Sequence, residues 1–216
     1  MHALARAGLG AVPALGSAAT ELFTAIIAPP LETRRIEWMN KVADHLQQLE
    51  ERGAFKLEEL QGNDAFITTV MQASQAAIRN HQSEKLDALR NAVLNAALPQ
   101  APEESLQQHF INLIDTFTVW HLRLLDLFHD PRVWFETNGI SPPVFALSSS
   151  LERLIIVAWP ELQNRYEFLI VIVDELNTKG LFAGAGLRTM MSASGAYEKR
   201  TTEMGGQFLA FIKAPQ

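Results

Sequence analysis

Histidine is the side chain in this sequence best suited to acid–base or metal chemistry, and six are present: His2, His45, His81, His109, His121 and His129. A zinc hydrolase sets two imidazoles four residues apart on one helix, because that spacing lets both converge on a single tetrahedral ion. No two histidines here have that spacing. Cysteine is absent, which excludes thiol nucleophiles, Cys-type zinc sites and disulfides and fits a reducing compartment such as the cytoplasm. The run GLFAGAG from Gly180 to Gly186 imitates a phosphate loop. A dinucleotide fingerprint, however, follows a strand and opens a helix. Here a helical pattern comes first, so the run reads as a helix C-cap and turn.

Four polar residues remain as candidates. His81 and Glu84 stand, with Lys85, at a break between two helical patterns, and Arg90 lies about 40° from Leu86 on a wheel of about 100° per residue. Together His81, Glu84 and Arg90 could line a small-molecule pocket. The competing reading is an exposed helix break, with Arg90 paired to Asp87 or laying its stem over apolar surface. His121 falls inside an apolar arc with Trp120, Leu124 and Phe128. A histidine buried there must have both ring nitrogens satisfied, by Asp115 or a backbone carbonyl. A structural role is the expectation and a general base the alternative. No residue is assigned a catalytic, cofactor-binding or metal-binding role, no cofactor is implied, and the protein is expected not to be an enzyme.

The elements that must position these residues are helical. Between Asp64 and Phe128 the chain reads as consecutive helices. Phe66, Val70, Ala73 and Ala77 form one stripe, and Ile67, Met71 and Ile78 widen it to an arc of roughly 140–160° at about 100° per residue. An arc wider than the ordinary stripe of about 100° predicts cover on more than one flank. Ser83 is the expected N-cap of the next helix, whose inner stripe is Leu86, Leu89, Val93 and Ala97, with Glu84, Asp87, Asn91 and Asn95 facing out. A further helix runs from Glu103 to Phe117. Thr118 is the expected cap of the one that carries His121. Before them, a short helix from Ser17 to Ala28 should stop at Pro29-Pro30, which also lead into a new amphipathic helix ending at Gly53.

Charge divides the chain. The formal net charge is −6, and the whole excess lies in residues 31–130. An acidic helical body is a poor partner for nucleic acid, whose binding rests mainly on phosphate neutralisation by Lys and Arg. Residues 3–31 hold Arg6 and Glu21 as their only charges. They are rich in Gly and Ala, and they predict either a segment packed on the core or one that enters a membrane when released. After HDPRVWFETNGISPP, a loop-like stretch read as a domain boundary, two helical runs are followed by two short segments around Ser194-Gly195. That order predicts a winged helix. Its second helix, with Glu167, Asp174 and Glu175, is too acidic for a groove-reading element. The expected fold is therefore mainly α: an apolar segment at 1–30, an acidic helical domain at 31–130, and a small winged-helix-like α+β module at 141–216.

PPLETRR, EKLDALRNAVLNAAL, FINLIDTFTVWHLRLL and the closing TTEMGGQFLAFI together resemble uncharacterised bacterial helical proteins. Among named groups they are similar to the abortive-infection alpha family, which is linked to phage defence. The resemblance implies a non-enzymatic accessory or effector acting by protein contacts or self-association, cytoplasmic, with membrane association through residues 3–31. It carries over no site residues. The alternatives are a transcription regulator using the C-terminal module, with a basic surface around Arg165, Lys199 and Arg200, and an enzyme or small-molecule binder with a pocket at His81, Glu84 and Arg90.

Overall fold

The computed structural model describes residues 17–145 and 147–215. Among the described residues the protein is mainly helical, with ten α-helices and one two-stranded antiparallel sheet. The chain forms two compact units, Met1–Ile111 with Pro215–Gln216, and Asn112–Ala214.

The first unit begins with α1 (Ser17–Glu51), a single helix of 35 residues. The stop expected at Pro29-Pro30 does not occur. Each proline removes an N–H, which leaves the carbonyls of Ala25 and Ile26 without their intrahelical donors. Both residues are exposed, so water can bond those carbonyls, and the helix runs on. Gly53 (φ 77°) then ends it in the left-handed conformation that a residue without a Cβ adopts freely. After a single turn, α2 (Leu57–Leu60), come α3 (Asp64–Arg79) and α4 (Ser83–Ala96), which pack on each other and on the C-terminal half of α1. Asn63 caps α3 by accepting from the Phe66 N–H at 3.0 Å. The start of α4 differs from expectation: Gln82 holds the cap position, and its side chain makes no capping bond.

Alanines set the close packing of α3 on its neighbours. Ala73, Ala76 and Ala77 are buried, as are Leu89, Ala92 and Val93 of α4, the helix that packs on α3. The expected outward face of α4 is only partly outward: Asn91 is buried, because α4 has neighbours on more than its Leu stripe, and Lys85 beside that face is buried too. A buried polar pair joins α3 to α5 (Glu104–Thr116). Thr69 Oγ1 donates to Gln107 Oε1 at 2.8 Å, and Gln107 Nε2 donates to the Pro102 carbonyl at 2.7 Å. Both polar groups therefore enter the core satisfied.

The division between units falls inside α5 rather than in the stretch 129–143. That stretch belongs wholly to the second unit, where Asp130 caps a short helix, α7 (Pro131–Thr137), by accepting from the Val133 N–H. Proline at the first helical position fits, since its missing N–H would be unpaired there in any case. The second unit is built on α6 (Val119–His129), whose Leu124, Leu125, Leu127 and Phe128 are fully buried. Then follow β1 (Ser148–Ser149), α8 (Leu151–Ala158), α9 (Tyr166–Thr178), β2 (Met191–Ser192) and α10 (Glu203–Ile212). The sheet pairs Ser148 with Ser192 and Ser149 with Met191. Its strands therefore join across α8 and α9, not across Ser194-Gly195, where a 3-10 turn (Gly195–Tyr197) sits instead.

Thr202 fastens α10. Its hydroxyl accepts from the Gly205 N–H at 2.9 Å and donates to the Gly180 carbonyl at 2.6 Å, while its own N–H donates to the Leu181 carbonyl at 3.0 Å. Gly180 (φ 72°) closes α9, so the GLFAGAG run is indeed a helix end and turn.

Candidate interaction surface

An apolar groove of about 320 Å³ lies between α1 and α3 in the first unit, lined by Arg35, Trp38, Met39, Val70, Met71, Ser74, Gln75 and Ile78. The sequence places it there through two helical spacings. On α1, Trp38, Val42 and Leu49 point into the unit and are buried, which turns Met39 and Ile36 to the flank. On α3, burial of Phe66, Thr69, Ala73 and Ala77 turns Ile67 and Met71 to the same kind of flank.

The wide apolar arc of α3 is thus covered on one side only. Met71 is 58% exposed, Met39 47%, Ile36 53% and Ile67 39%. A fully buried large apolar side chain gains about 1.5–3 kcal/mol over an exposed one, so each of these half-exposed residues forgoes roughly 1 kcal/mol. Methionine on such a face adapts its shape to what covers it. Trp38 forms the floor. It is 6% exposed and held by its Nε1 donating to Ser74 Oγ at 2.9 Å.

The other side of Trp38 meets a second, smaller cleft of about 60 Å³, lined by Arg34, Glu37, Lys41, Ala77, Asn80, Leu86, Asp87 and Arg90. Here the sequence-predicted residues part company. Arg90 lines the cleft, half-buried, with one guanidinium nitrogen 2.8 Å from Asp87 Oδ1 and another 3.4 Å from Asn91 Oδ1, and its Nε buried without a partner. His81 and Glu84 are exposed and do not line it. The turn between α3 and α4 points them outward, and Asn80 takes the inward place by donating to the Ala76 carbonyl at 2.8 Å. A cleft of this size holds a few waters, far below the roughly 300–1,000 Å³ of small-molecule pockets.

In the second unit His121 is buried, 2% exposed, stacked on Phe117 with ring centroids 4.4 Å apart. Both of its ring nitrogens are engaged. The Thr118 N–H donates to Nδ1 at 3.0 Å, which makes Nδ1 an acceptor and leaves Nε2–H to donate to Glu175 Oε2 at 2.7 Å. His121 is therefore a capping residue of α6 that also ties it to α9. Glu175 lies 54 residues away in sequence, a distance at which no local pattern announces a partner.

His129, Tyr197 and Arg188 of this unit titrate away from their ordinary values. Burial, and then the charges of Lys199 and Lys213, lower His129, against smaller opposing effects of Asp126 and Asp130. Burial raises Tyr197. Its hydrogen bond to Glu152 raises the exposed Arg188. His129 also lines a cavity of about 140 Å³ with Asp126, Trp134 and Lys213, though its Nδ1 is engaged by Thr201 Oγ1 at 2.9 Å and Lys213 by Asp126 at 2.7 Å. Among the described residues no group of three or more His, Asp or Glu side chains is placed to hold a metal ion.

No protein-family model, no curated protein and no solved structure matches the chain. Among the described residues no helix is long and apolar enough to cross a membrane. The expected membrane-active segment covers residues 3–31, of which 3–16 lie outside the described residues.

Proposed function

We propose that this protein acts by protein contact rather than by catalysis, through the apolar groove between α1 and α3. On the resemblance of its sequence to the abortive-infection alpha family, we place that action in bacterial phage defence, as an accessory or effector in the cytoplasm. The observation that carries the contact reading is the half-exposed Met39 and Met71 lining a concave floor, with exposed Ile36 and Ile67 on the same two helices. Exposed apolar surface gathered in one place, rather than scattered, marks a binding face. Residues 3–31, nearly uncharged ahead of an acidic body, would add contact with a membrane.

The second unit fits a winged-helix-like module used for packing or protein contact. Its support is the order β1, α8, α9, β2 with the strands paired across the two helices. The exposed Glu167, Asp174 and Glu175 of α9 argue against its entering a DNA groove. Arg200, part of the basic surface such a regulator would need, is half-buried, with one guanidinium nitrogen donating to the Gly195 carbonyl at 2.6 Å.

The test is protection of bacteria expressing the protein against a panel of phages, comparing the wild type with Met71→Glu. Loss of protection with unchanged expression and circular dichroism is expected. Undiminished protection by the variant would refute the groove as the working surface. Liposome flotation of the full chain beside a chain lacking residues 1–30 tests the membrane part, and equal absence of binding would end it.

A further inference from the structure

We propose that α1 pairs antiparallel with α1 of a second copy of this chain, about a two-fold axis passing between Thr33 and Arg34, and that each groove is thereby covered by the other copy's α1. This rests on the reading of the groove as a protein-contact face and names its occupant.

The first reason is the length of α1. At about 1.5 Å per residue its 35 residues span roughly 52 Å, whereas the 16 of α3 span roughly 24 Å. Among the described side chains of α1 the first buried one is Trp38. Ahead of it the described side chains at 21, 25, 26 and 30–37 are exposed, and only Thr24 is half-buried. Most helical stability in proteins comes from packing one face on a neighbour, and two interior prolines cost about 3 kcal/mol each against alanine. A covering surface offsets that cost.

The second reason is self-complementarity. A two-fold interface requires that residue i meet j and that j meet i. With the axis between Thr33 and Arg34, Glu32 of each copy faces Arg35 of the other, and Leu31 faces Ile36. These four residues, with Met39, Ala43 and Ala25, fall within one sector of about 140° on the helical wheel. Glu32 and Arg35 are the only charges in that sector between residues 24 and 43, because Arg34, Glu37 and Lys41 point elsewhere. In this register residues 24–31 of the second copy run along residues 36–43 of the first, over the mouth of the groove where Met39 and Met71 are exposed. Arg35 itself lines the groove. On the order of 14 residues a side are engaged, fewer than the roughly 20–30 of a standard interface. The dimer is therefore a reversible, concentration-dependent one.

Sedimentation velocity of the full chain over a concentration series tests this, with Glu32→Arg, Arg35→Glu and the double exchange. Both side chains are exposed, so each variant should fold. Wild type should pass from monomer to dimer as concentration rises. Each single variant sets like charges against each other twice per dimer and should weaken association by about tenfold or more. The double exchange restores opposite pairs and should recover most of the wild-type association. A wild type that stays monomeric into the hundreds of micromolar, or a dimer indifferent to both single exchanges, would overturn the proposal. The wider contact reading fails differently. If Met71→Glu abolishes phage protection while the wild type is monomeric, self-pairing is overturned and the contact surface stands.

Discussion

Adjacent glycines in α10 should respond in opposite directions to the same substitution. Gly205 and Gly206 both lie in the first half of the helix, where alanine improves backbone propensity by up to about 1 kcal/mol. Gly206 has room: a Cβ there meets only His129 Cε1 at 3.7 Å and Lys199 Nζ at 3.9 Å, both ordinary contacts. Gly206→Ala should therefore stabilise the protein by about 0.5–1 kcal/mol. At Gly205 a Cβ would overlap the carbonyl oxygen of Leu181 and lie 3.0 Å from its carbon. That oxygen cannot swing away, since it accepts from the Thr202 N–H at 3.0 Å, and Thr202 in turn caps α10. Overpacking against side chains costs about 1–3 kcal/mol, and a backbone obstacle belongs at the upper end, so Gly205→Ala should be destabilising by about 2 kcal/mol net. Urea unfolding at constant pH separates the two: the midpoint should fall for Gly205→Ala and rise slightly for Gly206→Ala, with the slope unchanged in both. A Gly205→Ala protein as stable as wild type would show that close approach of α10 to Leu181 does not hold the second unit together.

Replacing His121 by Leu keeps much of the buried volume but strips the Thr118 N–H of its acceptor. A loss of about 1–3 kcal/mol is expected by urea unfolding, against less than about 1 kcal/mol for Glu175→Gln at its 55% exposed partner; equal effects would contradict the capping role. Asn63→Ala removes the cap of α3 and should cost about 1 kcal/mol, read as a lower thermal midpoint. His129 is lowered from 6.5 in the folded protein, so below that pH the unfolded chain binds the extra proton first. Its contribution to stability is full above pH 6.5 and drains away as pH falls through the folded value. Unfolding midpoints should therefore drop on acidification less steeply in His129→Gln than in wild type, and parallel curves would remove His129 as a source of acid sensitivity.

Local rules made most of the helices legible. Period-3.6 spacing located α3, α4, α5, α6 and α9, because each buries one stripe and the stripe is written in the order of residues. Gly53 and Gly180 marked two helix ends, since the left-handed turn that follows a helix strains any side chain with a Cβ. The same rules failed where solvent or a distant part of the chain decided the outcome. Pro29-Pro30 did not break α1, since solvent is free to satisfy the carbonyls that lose their donors. Asn91 looked exposed on the wheel of α4 alone and is buried by neighbours that the wheel does not contain.

For the candidate residues the division is the same. The Asp87–Arg90 pair joins residues three apart, so its spacing is visible in sequence. The partnership of His121 with Glu175 spans 54 residues and depended on how α6 meets α9. Likewise the sequence contained the wide apolar arc of α3, and it determined that Ile67 and Met71 would stand at its edge. Whether that edge would be core or open groove was decided only by tertiary packing. Burial is a property of the neighbours a side chain meets, and α1 meets α3 along one flank and leaves the other open.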